Sequence, residues 1–454
     1  MKIAVIGGGG VRSMFSARSL TRHAKALGLA EVVFMDNDLK KLNIYGKMAE
    51  HVAREIDPEV NFKLTSDPEE AVRDADFIIT TIRAGGDEMR VKDERAALAL
   101  GILGQETTGA AGFSFAMRSV PALAYYCELA KKLAKPDVKV FNFTNPAGVV
   151  SQTLRDMGYD FTFGICDTPS SILRSIASLY QVSSDEVTGD CYGLNHLSYF
   201  NSIKVCGKEV LPELLDNEDL YEKTDMKYFG KDLAKHVGCV LNEYLYYFYY
   251  RQEAVNNILA SGKTRGEVIC EVNRNMTEEL SGLDIDKDFD KAIEICDKWS
   301  GIRASEYMAN ETGKRIEQPA FHFDINEPDD GGYAGVVLAF IEAFQGLKQK
   351  EMTLCVPNCG AIEGMRDDDV VEVSCTINKN GYFPHKIKPA PVTMELIRSV
   401  KAYERLASEA IRTRSISKAI DCLMVHPLVN SYSFAKTLVE QYVENNKAYS
   451  EGWK

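Results

Sequence analysis

Chemistry in this sequence concentrates in short polar breaks that follow apolar runs. Cys166 and His196 each stand just past an apolar stretch, with Asp167 after the cysteine and Asn195 before the histidine. A thiolate and an imidazole with coordination positions left open suit one soft-to-borderline divalent metal. The same pair fits a Cys–His hydrolase dyad, or a buried cysteine beside a core histidine. Residues 244–250 read YLYYFYY. On a helix Tyr244 and Tyr247 share a face, and a tyrosine beside a metal cation has its pKa lowered toward use as a base. An aromatic core helix is the commoner origin of such a run. Arg265 follows Gly262-Lys-Thr and is a cation suited to a phosphate, or to a surface helix start.

A second dense stretch runs from Arg83 to Arg118 and includes Arg90, Asp93, Glu94 and Glu106. Asp93 and Glu94 read as solvated surface ion pairs. Arg90 carries a fork of donors that grips carboxylate or phosphate, and Glu106 lies among small residues suited to a pocket wall. Asn145 ends a strand before Pro146. It offers an amide to sugar hydroxyls or a nicotinamide, or it simply makes a turn.

The elements that must position these residues begin with KIAVIGGGG at Lys2. An apolar strand ends in glycines, with Gly7 and Gly9 at the G-x-G spacing, Gly10 and Val11 continuing the turn, and Arg12 where the dinucleotide fingerprint has its third glycine. A helix over 11–28 brings its N-terminal N–H groups toward an anion. The strand Glu31–Met35 then ends in Asp36, where a ribose hydroxyl binds in a βαβ nucleotide fold, and Asp36 favours NAD over NADP. Further strands are expected near 62–65, 77–82, 138–143 and 162–165, with helices between, giving an α/β fold with a Rossmann-like doubly wound parallel sheet over residues 1–165. The polar clusters fall past the C-terminal ends of these strands, where ligands bind in open α/β sheets. Residues 166–454 are expected to form a mixed α+β domain for substrate, metal and oligomerisation. It has a short strand pair near 205–210, helices over 229–260 and 281–312, strands near 353–356 and 370–377, and helices over 332–345 and 392–446.

The 454 residues are 45% apolar and 26% charged, ordinary for a globular chain, with a net charge of −13. Such a balance argues against nucleic acid or an anionic membrane as partner. No apolar run approaches the roughly 20 residues needed to span a bilayer, and the chain opens without a leader. Eleven scattered cysteines without C-x-x-C pairs predict reduced thiols in a cytoplasm.

Taken together the blocks resemble family 4 glycoside hydrolases, NAD- and divalent-metal-dependent glycosidases, over nearly the whole chain. They are GGGGVRS, RAGGDEMRVKDE, GQETTGAAGF, NFTNPAG, CDTP, GLNH, YLYYFY, VPNCGAI and DDDVVEV. The family is an exception to the two-carboxylate rule of glycoside hydrolysis. The resemblance implies that NAD⁺ oxidises the sugar at C3, a base removes the acidified C2 proton, the leaving group departs from C1 by elimination, water adds, and NADH reduces the ketone back. It implies Mn²⁺ or another divalent ion on Cys166 and His196, with Tyr244 as base (Tyr247 second) and Asp167 assisting the leaving oxygen. It implies substrate contacts from Arg90, Glu106, Asn145, Asn195 and Arg265, the last near a 6-phosphate, and cofactor contacts from Gly7, Gly9, Gly10, Val11, Arg12 and Asp36.

The resemblance implies a 6-phosphoglucoside as substrate and a homodimer or homotetramer. C-D-x-P is similar to the 6-phospho-α-glucosidases, whereas V-P-N-x-G-A-I and the tyrosine block are closer to the β group. The stretch Arg303–Pro328, with Ala320-Phe-His-Phe, departs from the family pattern on the aglycone side. Unphosphorylated glycosides or uronides are the alternative within the family, and a lactate/malate-type dehydrogenase the alternative outside it.

Overall fold

A computed structural model describes residues 1–315, 321–328 and 332–454. Part of the divergent stretch, residues 316–320, thus lies outside the described residues. Six strands build the parallel half: β1 (Lys2–Ile6), β2 (Glu31–Met35), β3 (Asn61–Thr65), β4 (Phe77–Thr80), β5 (Lys139–Asn142) and β6 (Thr162–Gly164). Seven more follow: β7 (Val187–Leu194), β8 (Leu197–Val205), β9 (Lys208–Glu209), β10 (Val240–Leu241), β11 (Lys350–Pro357), β12 (Val370–Asn378) and β13 (Gly381–Pro384). Among the described residues they form one sheet in the order β10-β8-β7-β12-β11-β6-β5-β4-β1-β2-β3. β13 pairs with β12 and β9 with β8 off that path.

The strands β3, β2, β1, β4, β5 and β6 pair in parallel, so the expected doubly wound half is present. Its central strands are buried along almost their whole length, which is what covering helices on both faces require. The antiparallel strands then continue the same sheet past β6. At this seam one row of paired residues runs Gly164, Cys355, Glu372, Gly193 across four strands. Glycine is required at the first position. A Cβ on Gly164 would fall 2.3 Å from Ser151 Oγ and 2.7 Å from Cys355 Cβ.

Three expectations change. The strand pair near 205–210 is present as the end of β8 with β9, but β8 also pairs along its length with β7 in a long hairpin, which the glycines and Asp190 inside β7 concealed. The segment 229–260 is not one helix. Gly238 ends Lys231–Val237 in a left-handed conformation, β10 follows, and Asn242 caps a fresh start by accepting from the Tyr244 N–H at 3.0 Å. Asp93 and Glu94 are buried, not solvated. Asp93 pairs with the enclosed Arg118 at 2.7 Å. Glu94 accepts from Arg90 Nε at 2.8 Å and from the Gly266 N–H at 2.7 Å.

Candidate active site

Every residue read from the sequence as catalytic, metal-binding or substrate-contacting lines one cavity of about 330 Å³ beyond the C-terminal ends of β4, β5 and β6. Cys166 and Asp167 follow β6, Asn145 follows β5, and His196 sits in the tight turn between β7 and β8 at a φ of +60°. The seam brings these ends together. Cys166 Sγ lies 3.4 Å from His196 Nε2. The Tyr244 ring stacks on the imidazole with centroids 4.2 Å apart.

Burial presses this pair toward its neutral forms. The Cys166 thiol is pushed well up, and His196 is lowered to about 4. A neutral imidazole and a thiol that needs a cation beside it to ionise are the donor set of a divalent site. His196 Nδ1 is buried without a hydrogen-bond partner. Among the described residues no third His, Cys, Asp or Glu completes a ligand cluster. The two ligands therefore fit an ion whose remaining positions are open to water or substrate oxygens.

Asn195 is anchored from behind, where its amide donates to Glu372 Oε1 at 2.9 Å. Glu372, from the DDDVVEV block, is buried under the cavity, and burial raises it to about 7. Its role behind Asn195 has no signal in the sequence beyond an acid in a buried strand. Tyr247, the second candidate base, also lines the cavity, but its hydroxyl donates to Glu311 Oε1 at 3.2 Å. Glu243, next to Tyr244, accepts from Tyr307 at 3.2 Å and from Thr168 at 3.3 Å. Burial lifts it to about 8. Glu243, Glu311, Arg303 and Tyr307 are wall residues that sequence reasoning passed over, because no local spacing marks them.

Arg90 does not present a bare guanidinium. Its Nη1 lies 3.1 Å from Glu106 Oε1, and Arg83 grips both Glu106 oxygens at 2.5 and 3.1 Å. Against the penalty of burial, these two arginines hold Glu106 down to about 2. Arg118 fixes the supporting loop by donating to Ala84 O at 2.7 Å and to Asn446 Oδ1 at 3.1 Å. Arg265 opens the helix Arg265–Leu280, and its buried Nη1 has no partner.

The glycine turn lies apart from this cavity. The Gly7 and Gly8 N–H groups donate to Met35 O at 2.9 and 2.8 Å. Asp36 accepts from the Gly9 N–H at 3.0 Å and from Asp38 N–H at 2.9 Å. Gly7 has a φ of +99°, and a Cβ there would fall 2.7 Å from Thr81 O, so the cradle requires glycine at that position. The helix Ser13–Leu27 begins directly after it. Strand, tight turn, helix start and acid together fit a dinucleotide. Arg12 lies between the two regions, 3.8 Å from Asp167.

Fold and site together define an α/β enzyme that joins a doubly wound sheet to a buried Cys–His pair suited to a divalent ion. Residues 2–182 match the family 4 glycosyl hydrolases, and residues 191–429 match the C-terminal domain of the same family. The chain belongs to that family. It is 28% identical to the 6-phospho-beta-glucosidase BglT of Thermotoga maritima, with 99% of each chain aligned. It is 27% identical to the phospho-alpha-glucosidase PagL of Clostridium acetobutylicum, over 98% of each. A solved structure of the Thermotoga enzyme, with manganese, NAD⁺ and glucose-6-phosphate, superposes with a TM-score of 0.82 at 26% identity, covering 99% of this chain and 100% of that one.

Proposed function

We propose that this protein hydrolyses 6-phosphoglucosides by redox-assisted elimination, with NAD⁺ and Mn²⁺ or a similar ion. The observation that carries this reading is the Cys166–His196 pair at 3.4 Å under the Tyr244 ring. The relatives' names and the manganese, NAD⁺ and glucose-6-phosphate of the Thermotoga structure support it. When bound, the dinucleotide and the metal ion supply reversible oxidation at C3 and Lewis acidity toward the C2 and C3 oxygens.

On this reading Cys166 and His196 hold the metal. Gly7, Gly9, Gly10, Val11, Arg12 and Asp36 hold the cofactor, residues 1–165 carry it, and 166–454 complete the substrate side. Tyr244 takes the C2 proton, and Asp167 gives a proton to the oxygen leaving C1. Because the C2 proton is removed before the C1 bond breaks, either anomer can be processed. Asn145 and Asn195 orient the sugar hydroxyls, Glu106 locks Arg83 and Arg90 into the wall, and Arg265 offers its unpartnered Nη1 to the 6-phosphate. No helix among the described residues is long and apolar enough to cross a membrane, and the eleven cysteines are all unpaired. We place the enzyme in the cytoplasm, as a homodimer or homotetramer.

The test is a screen of α- and β-linked 6-phosphoglucosides and their unphosphorylated counterparts, with NAD⁺ and Mn²⁺ added. Release of the aglycone without net NADH is expected, and only from the phosphorylated set. Equal turnover of the free glucosides would overturn the phosphate assignment. Stoichiometric NADH would point to a dehydrogenase instead.

A further inference from the structure

Past Arg12, Asp225, Arg265, Arg303 and Tyr307 the cavity continues into a second one of about 570 Å³. Among its described lining residues are six cations, Arg12, Arg18, Arg174, Lys227, Arg265 and Arg303, against one carboxylate, Asp225. The whole chain carries −13, so this concentration runs against its average. Some of the charge is answered within the protein. Arg12 faces Asp167 at 3.8 Å, and Arg18 faces Glu327 at 3.3 Å. Arg265 is the cation read above for the sugar phosphate. Lys227 feels the charge of Asp225 without a contact ion pair, and Arg174 makes no ion pair with a described residue. Cations gathered on the wall of a confined space repel one another and favour an anion between them.

The same wall carries flat apolar surface. Tyr228 and Tyr307 meet edge to face with centroids 6.5 Å apart, and Lys227 Nζ lies 5.4 Å from the Tyr228 ring. Gly9 and Asp36 do not border this cavity, whereas Val11 and Arg12 do, so it adjoins the cofactor cradle at the helix start without including the ribose acid. It begins at Arg12, the ion-pair partner of Asp167, and Asp167 is the residue read as facing the leaving oxygen.

We infer that this second cavity receives the aglycone and selects one whose ring carries an acidic group, a carboxylate above all, held by Arg174 and Lys227. The inference rests on the glycosidase reading and adds its leaving-group class. Such an aglycone leaves as an anionic hydroxy acid, taking its proton at the C1-linked oxygen.

Two measurements test it. Calorimetry of 4-hydroxybenzoate and of its methyl ester compares the wild type with the double variant Arg174→Gln, Lys227→Gln. The wild type is expected to bind the acid about tenfold more tightly than the ester, and the variant to lose that preference, the scale of one charge-assisted contact. Turnover of the two matching 6-phosphoglucosides should show the same preference in kcat/KM. Turnover of the ester should be unchanged in the variant, which also reports that it folds. Equal affinity for acid and ester in the wild type, or an undiminished preference in the variant, overturns the inference. If neither glucoside is turned over, the glycosidase reading fails, and the calorimetric comparison alone decides whether the cavity selects the acid.

Discussion

Replacing Glu106 by glutamine keeps the side chain's shape and removes the charge that Arg83 and Arg90 both face. The carboxyl is held at about 2 instead of its ordinary 4.5. At about 1.4 kcal/mol per pKa unit this amounts to roughly 3 kcal/mol of folding stability at neutral pH. Glu106 is almost fully enclosed, so solvent screening removes little of it. The folded-state pKa lies below the unfolded one. The contribution is therefore fully present above the unfolded value and is lost as pH falls through the folded value. The linkage relation leaves most of it near pH 4 and less than half near pH 3. Urea unfolding of wild type and Glu106→Gln, followed by tryptophan fluorescence at neutral pH, near pH 4 and near pH 3, measures the gap directly. It should be about 3 kcal/mol at neutral pH and narrow steadily toward acid. A gap that stays constant with pH, or one under about 1 kcal/mol at neutral pH, would refute the arginine clamp on Glu106.

Other perturbations follow from the same geometry. Cys166→Ser and His196→Ala should each abolish Mn²⁺ binding in calorimetry while NAD⁺ affinity stays within about twofold, since the glycine cradle is remote from the pair; retained Mn²⁺ affinity would remove the metal assignment. His385 sits between Asp190 at 3.0 Å and Glu351 at 2.9 Å, and these carboxylates raise it to about 9. Its folded-state pKa lies above the unfolded 6.5, so His385→Asn should lower the Tm most below that pH, with the difference closing as pH rises through about 9. Arg118→Met leaves Asp93 buried without its partner and should destabilise by about 3–5 kcal/mol, with a substantial part recovered when Asp93→Asn is added; additive single effects in that cycle would deny the pair its role.

What the sequence makes legible is whatever a short segment can encode by itself. KIAVIGGGG carries its strand, its turn and its helix start within a dozen residues, and Asp36 announces the end of β2. The polar breaks after Asn142 and Gly164 likewise mark strand ends and the cavity beyond them. The burial of Asp93 and Glu94 is illegible because each also has a partner far along the chain. Arg118 lies a helix away, and the Gly266 N–H that Glu94 accepts from is 172 residues along the chain. Viewed locally, two adjacent acids in a charged helix are a solvated face. The tyrosine run misleads for the opposite reason. Read as part of one helical segment over 229–260, it instead starts afresh after Gly238, β10 and the Asn242 cap as two short turns, Glu243–Leu245 and Tyr246–Tyr249, the first of which sets Tyr244 flat on His196. The hairpin β7–β8 shows no clean alternation, since its residues near Gly193 are buried on both faces.

The Cys166–His196 pair depends on strand pairing more than on any motif. Gly164, Cys355, Glu372 and Gly193 lie in one row across β6, β11, β12 and β7. Cys166 is two residues beyond the first of these, and Asn195 two beyond the last. The loop after β6 and the turn after β7 meet with Cys166 Sγ 3.4 Å from His196 Nε2. Glu372 sits inside that row and accepts from Asn195, so the strand that sets the register also ties down the turn carrying His196. A one-residue slip of β12 would send Glu372 to the opposite face of the sheet and release Asn195. The nucleotide half can form its glycine cradle from its own residues. The Cys–His pair exists only once the antiparallel strands have added to β6 in this register, which ties the chemistry beyond nucleotide binding to the second half of the chain.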